Sequence, residues 1–189
     1  ANIRDMIEAD KNNSVDGFTT NPTLMAKAGI TDYIGFAKEA LNSIKDKSIS
    51  FEVFSDDIDE MYEQAMILRD LGDNVYVKIP VTNTKQEYTY ELINKLSFEG
   101  VKLNITALFT RDHIDNVYKN LNKNTPAIIS IFAGRIANAG IDPEPIMKYA
   151  VELTQGAELI EILWASSREV FNIIRSEEHT SELQSPDHL

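Results

Sequence analysis

Lys78 stands in a run that is otherwise apolar or aromatic, Val75 to Pro80 (VYVKIP), and Glu52 stands in another, Ile49 to Phe54 (ISFEVF). Alternate side chains of a β-strand point to opposite faces, so Lys78 shares a face with Tyr76, while Val75, Val77 and Ile79 take the other. By the same parity Glu52 opposes Phe51 and Val53. Two further runs repeat the pattern: Asn104 and Thr106 oppose Leu103 and Ile105 in KLNITAL, and Ser130 and Phe132 oppose Ile129 and Ile131 in AIISIFA. A buried ammonium or carboxylate costs several kcal/mol unless paired, so charges on an inward face need a reason. One reason is a structural ion pair of Lys78 with Glu52. The other is chemistry. A lysine in a dry, apolar-walled site has a lowered pKa and can be a neutral amine near pH 7, the form that attacks a carbonyl to make a Schiff base. Glu52 and Thr106 would then hold a water that shuttles protons to and from the carbinolamine and enamine. Geometry decides between the two accounts.

Composition narrows the alternatives. In 189 residues, 43% hydrophobic side chains are enough for a sizeable core. The 18 basic residues against 30 acidic ones give a net charge of −12, which argues against nucleic acid or an anionic membrane as partner. Without cysteine there is no disulfide framework, thiolate metal site or cysteine nucleophile, and three histidines leave little for a metal centre. No signal peptide opens the sequence and no apolar run reaches about 18 residues, so a soluble, cytoplasmic protein is expected.

The elements that must hold these residues recur along the chain. Six strands are predicted, at Gly17 to Asn21, Ile49 to Phe54, Val75 to Pro80, Lys102 to Leu108, Ala127 to Ala133 and Leu159 to Ser166, beginning 25 to 32 residues apart. Each gap holds an amphipathic pattern, such as Ile58 to Leu71 with Met61, Ala65 and Leu68 on one face. Continuous apolar strands separated by helices predict a parallel α/β sheet, either doubly wound or a (β/α)8 barrel. No Gly-x-Gly-x-x-Gly follows the first strand and no Walker-type Gly-Lys-Ser/Thr occurs, which weakens the nucleotide-binding doubly wound folds. The inward polar groups lie toward the C-terminal ends of their strands, where barrel enzymes build their sites.

Five segments in order, DGFTTNPTL (Asp16 to Leu24), VKIP (Val77 to Pro80), LNITALF (Leu103 to Phe109), ISIFAGR (Ile129 to Arg135) and ILWASSR (Ile162 to Arg168), resemble the transaldolase family across essentially all of residues 1–174. The resemblance implies a (β/α)8 TIM barrel that transfers a three-carbon dihydroxyacetone unit between sugar phosphates through a lysine Schiff base, with no metal or organic cofactor. It implies Lys78 as the Schiff-base lysine, and Glu52 and Thr106 as the pair that positions the catalytic water. Asn21 of the TTNP run, with Thr19 beside it, and Asn104 would meet substrate hydroxyls; Ser130 and Phe132 would line the pocket. Arg135, Ser166 and Arg168 would bind phosphate, as guanidinium groups do bidentately. Glu52 and Phe132 are of the transaldolase type, where the related fructose-6-phosphate aldolases carry glutamine and tyrosine. The implied partners are small-molecule sugar phosphates, in the pentose phosphate pathway, and possible further copies of the chain, since compact members form multimers. The non-catalytic alternative, a barrel fragment with a structural Lys78–Glu52 pair, stays open.

The ends depart from the family pattern. The family's first strand ends in Asp-Thr, whose aspartate is a general acid/base, and Ala1 begins where that pair would already have passed; Asp16 precedes the next strand and does not replace it. Six strands of eight predict an incomplete barrel lacking the first and last, with exposed edges and poor stability. Residues 175–189 (RSEEHTSELQSPDHL) have no apolar periodicity and resemble a translated sequencing adapter, so they are expected to be a non-native or disordered tail. The tail holds one basic and four acidic residues, leaving −9 for residues 1–174, and it takes two of the three histidines, leaving His113.

Overall fold

A computed structural model describes residues 2–27, 29–167 and 182–183. The chain divides into two compact units, residues 1–78 and 79–189.

The first unit runs through α1 (Ile3–Lys11), β1 (Gly17–Thr19), α2 (Pro22–Lys27), α3 (Tyr33–Ser43), β2 (Ser48–Glu52), α4 (Ile58–Arg69) and most of β3 (Val75–Pro80). β1 pairs parallel to β2, with Thr19 beside Ser50, and β2 pairs parallel to β3, with Glu52 beside Lys78. A Cβ on Gly17 would lie 2.5 Å from Ser48 Oγ and 3.1 Å from Ser48 O, so a side chain there would force the serine hydroxyl to turn away. Met61, Ala65 and Leu68 form the buried stripe of α4 that the helical spacing predicts. The Asp57 carboxylate starts that helix by accepting the amides of Asp59 and Glu60 at 3.0 and 3.1 Å. Ile49 and Phe51 are fully buried, each contributing about 1.5–3 kcal/mol of apolar stabilisation.

The second unit adds α5 (Tyr90–Phe98), β4 (Leu103–Leu108), α6 (Arg111–Asn120), β5 (Ala127–Ile131), α7 (Ala133–Asn138), α8 (Glu144–Leu153), β6 (Ile160–Trp164) and the two-residue β7 (Glu182–Leu183). β5 pairs parallel to β4 and to β6, and β7 runs parallel to β6 with Leu183 beside Trp164. The register of β4 slips between Ile105 and Leu108, where Ala107 takes a φ of 64°, a bulge in the left-handed region. In both units strands pair in chain order without the reversal that marks a doubly wound sheet, and all are parallel. The fold is an incomplete (β/α) barrel carrying six strands of the repeat.

Four strands end sooner than their apolar runs predict, β2 among them at Glu52 where the run extends to Phe54. β1 stops at Thr19 because Pro22 opens α2, which leaves Asn21 on the connection. β5 stops at Ile131, so Phe132 caps α7, and β6 stops at Trp164, so Ser166 sits in a turn with a φ of 59°. Two connections hold a pair of short helices in place of one, and between α7 and α8 the break falls at Gly140, whose φ of 80° a helix cannot continue. Glu182–Leu183 form a strand within a stretch that the sequence reads as structureless. No helix among the described residues is long and apolar enough to cross a membrane.

Candidate active site

In the first unit the β2–β3 register places Glu52 and Lys78 side by side, and their side chains meet: Nζ lies 3.1 Å from Oε2. The Lys78 side chain is 6% exposed, while the Glu52 side chain keeps 19% of its surface. The contact is one of charge alone, since Oε2 accepts no hydrogen bond within normal geometry despite the short distance. The ammonium donates instead to the backbone oxygen of Thr20 at 3.4 Å, just past the end of β1. Val75, Val77 and Ile79 are also buried, and strand alternation puts them on the face opposite Lys78.

Two residues missed in the sequence complete this cluster. Thr20 is buried, and its hydroxyl donates to Ser50 O at 2.9 Å. The Tyr33 hydroxyl donates to Glu52 O at 3.1 Å and contacts the Thr20 hydroxyl at 3.2 Å. Its ring stands edge-on to Phe51 and Phe54, with centroids 6.0 and 4.3 Å away. Burial, with the Glu52 charge adding a little, pushes the Tyr33 phenol up to about 12 against the opposing effect of its hydrogen bonds. Thr19 closes β1, and Asn21 accepts the Met25 amide at 3.0 Å, so its backbone starts α2. The available signal for this arrangement was Pro22, which has no N–H to extend the β1 ladder.

In the second unit Ser130 Oγ donates to Asn104 Oδ1 at 2.6 Å, and both residues are buried. Thr106 is 2% exposed, and its hydroxyl has no hydrogen-bond partner among the described residues. A buried hydroxyl left unsatisfied costs about 1–3 kcal/mol, a debt that a bound polar group would relieve. Its own backbone oxygen accepts the Val81 amide at 2.9 Å. The Phe132 ring meets Phe109 edge-on at 5.5 Å and carries the Arg135 guanidinium 4.8 Å above its face. Ser166 lies in the strained turn after β6, and Arg168 lies outside the described residues.

Beside these groups is a second aromatic cluster. Tyr88 stacks on Tyr90 at 4.7 Å and meets His113 edge-on at 5.9 Å. His113 Nδ1 accepts the Phe109 amide at 3.3 Å, so the neutral imidazole carries its proton on Nε2. Burial pulls that imidazole below its usual range, partly opposed by Asp112. The Tyr90 hydroxyl and the Trp164 indole N–H are buried without partners among the described residues. No group of three or more His, Asp or Glu that could hold a metal ion occurs among the described residues.

The first unit thus holds a sheltered primary amine with an adjacent carboxylate, and the second, taken by itself, holds a buried Asn–Ser pair, an unspent hydroxyl and a cation on an aromatic face. An amine so placed can add to a carbonyl, with the carboxylate taking up the proton it sheds.

Comparison with known proteins places the chain in a family. The family model for transaldolase/fructose-6-phosphate aldolase matches residues 1–182. A protein named probable transaldolase from Thermoanaerobacter sp. (strain X514) is 32% identical over 177 residues, 93% of this chain and 77% of that protein. One of the same name from Dehalococcoides mccartyi is 36% identical over 142 residues, 75% of this chain and 62% of its own length. Probable transaldolase 2 from Listeria monocytogenes is 36% identical over 159 residues, 82% of this chain and 67% of that protein. With the family's match running nearly end to end and through the strand that carries the buried lysine, this chain belongs to the transaldolase/fructose-6-phosphate aldolase family.

Proposed function

We propose that the chain carries the machinery of transaldolase-type transfer, moving a dihydroxyacetone unit from a ketose phosphate (fructose 6-phosphate or sedoheptulose 7-phosphate) to an aldose phosphate. The observation that carries this reading is the buried Lys78 amine, 3.1 Å from the Glu52 carboxylate. Lys78 Nζ adds to the ketose C2 carbonyl; the carbinolamine loses water to an iminium ion; the C3–C4 bond breaks, releasing an aldose phosphate and leaving an enamine on Nζ. The enamine carbon attacks the acceptor aldehyde, and water returns to free the ketose product and the amine. Glu52 takes and returns the protons of carbinolamine formation and breakdown, and Thr106 offers its unspent hydroxyl to the water involved. Asn21 and Asn104 hold substrate hydroxyls, Ser130 and Phe132 line the pocket, and Arg135, Ser166 and Arg168 hold the phosphate.

Glu52 and Phe132 favour transfer over the aldolase branch, which would release free dihydroxyacetone without an acceptor. In this reading the enzyme needs no organic cofactor or metal and serves the pentose phosphate pathway in the cytoplasm. The test is reduction with borohydride in the presence of fructose 6-phosphate, followed by peptide mass spectrometry. A three-carbon adduct on Lys78 is expected. If the chain, supplied with the family's Asp-Thr strand ahead of Ala1, gives none, the reading fails.

A further inference from the structure

The Thr20 amide donates to Ser50 O at 2.9 Å, and continuation of that parallel register would bring the next donor, from residue 22, to Glu52 O. Residue 22 is Pro22, which has no N–H to give. The Glu52 carbonyl is instead met by a side chain from α3: the Tyr33 hydroxyl, at 3.1 Å. The same oxygen touches the Thr20 hydroxyl at 3.2 Å, which itself holds Ser50 O. One phenol therefore binds both residues that hold the ammonium, Thr20 through its backbone oxygen at 3.4 Å and Glu52 through its carboxylate at 3.1 Å.

We propose that Tyr33 is a positioning residue for Lys78, acting through the backbone of Glu52 and the hydroxyl of Thr20; this rests on the Schiff-base reading of Lys78. Tyr33 does not reach the amine itself. It replaces the ladder bond that Pro22 cannot make and so sets where β2 ends relative to β1. Its ring, packed edge-on against Phe51 and Phe54, keeps the hydroxyl in place, so Tyr33→Phe removes the positioning contact and leaves the packing.

Two readouts on the full chain test this. The first is the rate of borohydride-trapped adduct formation with fructose 6-phosphate; the second is reductive methylation of Lys78 by formaldehyde and cyanoborohydride at neutral pH, followed by peptide mass spectrometry. Loss of one hydrogen bond to this part-buried carbonyl should slow trapping at saturating sugar by about tenfold, with the half-saturating concentration unchanged within about twofold. Methylation of Lys78 should become at least about threefold faster as its acceptors loosen. Phe54→Leu, which loosens the ring but keeps the hydroxyl, should move both rates in the same direction by less than Tyr33→Phe does. Should Tyr33→Phe not fold, Thr20→Val takes its place, and a twofold change in methylation is then the least that supports the proposal. A variant that loses only thermal stability, with wild-type trapping and methylation, overturns it. No sugar adduct even from the chain supplied with the family's Asp-Thr strand would sink the transfer reading alone, because methylation would still decide the role of Tyr33.

Discussion

Replacing Lys78 with methionine tests whether the Lys78–Glu52 contact is a charge pair that the fold depends on. At 3.1 Å and an effective dielectric of about 20, the attraction is about 5 kcal/mol. Most of it is offset by desolvation, which takes several kcal/mol from each ion, and the 19% of Glu52 left exposed lets water restore part of the loss. The net coupling should therefore be about 2 kcal/mol, below the roughly 3–5 kcal/mol seen when a fully buried pair is broken. For a chain of this size about 2 kcal/mol lowers the melting midpoint by roughly 4–8 °C. Glu52→Gln alone should show a smaller drop, and Lys78→Met with Glu52→Gln should regain most of the loss, because neither partner then carries an unmatched charge. Far-UV circular dichroism melts of the four proteins at neutral pH give the cycle directly. A coupling below about 0.5 kcal/mol, or a single Lys78→Met variant more stable than wild type, would refute the claim that the contact is energetically a pair.

Three further outcomes follow. Ser130→Ala removes the 2.6 Å bond to Asn104 in a buried site and should lower stability by about 0.5–1.5 kcal/mol, read as a lower urea midpoint with unchanged slope. Ala107→Gly removes the strain of a φ of 64° and should raise stability by about 0.5–1 kcal/mol, seen as a higher urea midpoint; a lower midpoint would count against the strain. His113 has a folded-state pKa below 6.5, so below that pH the unfolded chain binds the extra proton first; stability present at neutral pH is lost as pH falls through 6.5 toward the lower folded value. His113→Gln should flatten that part of the stability profile, and an unchanged slope would assign the acid sensitivity to other groups.

The sequence showed Lys78 because a charge in an apolar strand cannot be indifferent to its surroundings, and period-2 parity carries through any strand that stays regular. Parity served Asn104 and Ser130 as well, which meet in one hydrogen bond. It stops being a guide where strands end: Phe132 and Ser166 fall on a helix cap and a turn, where alternation no longer says which way a side chain points. The bulge at Ala107 was invisible because alanine is an ordinary strand residue, and a glycine there would have raised the question. Tyr33 was invisible for a different reason. It opens an amphipathic helix like any aromatic residue, and its hydroxyl acquires a role only when α3 folds back toward the end of β2.

Trp164 is the single tryptophan of the chain, and its ring is fully buried on β6 in the second unit, with an indole N–H that has no hydrogen-bond partner among the described residues. Emission excited at the red edge of indole absorption therefore comes from a probe seated in residues 79–189. Ellipticity, by contrast, records the helices of both units. A gap between the two melting curves would then measure how independently the halves of this chain come apart.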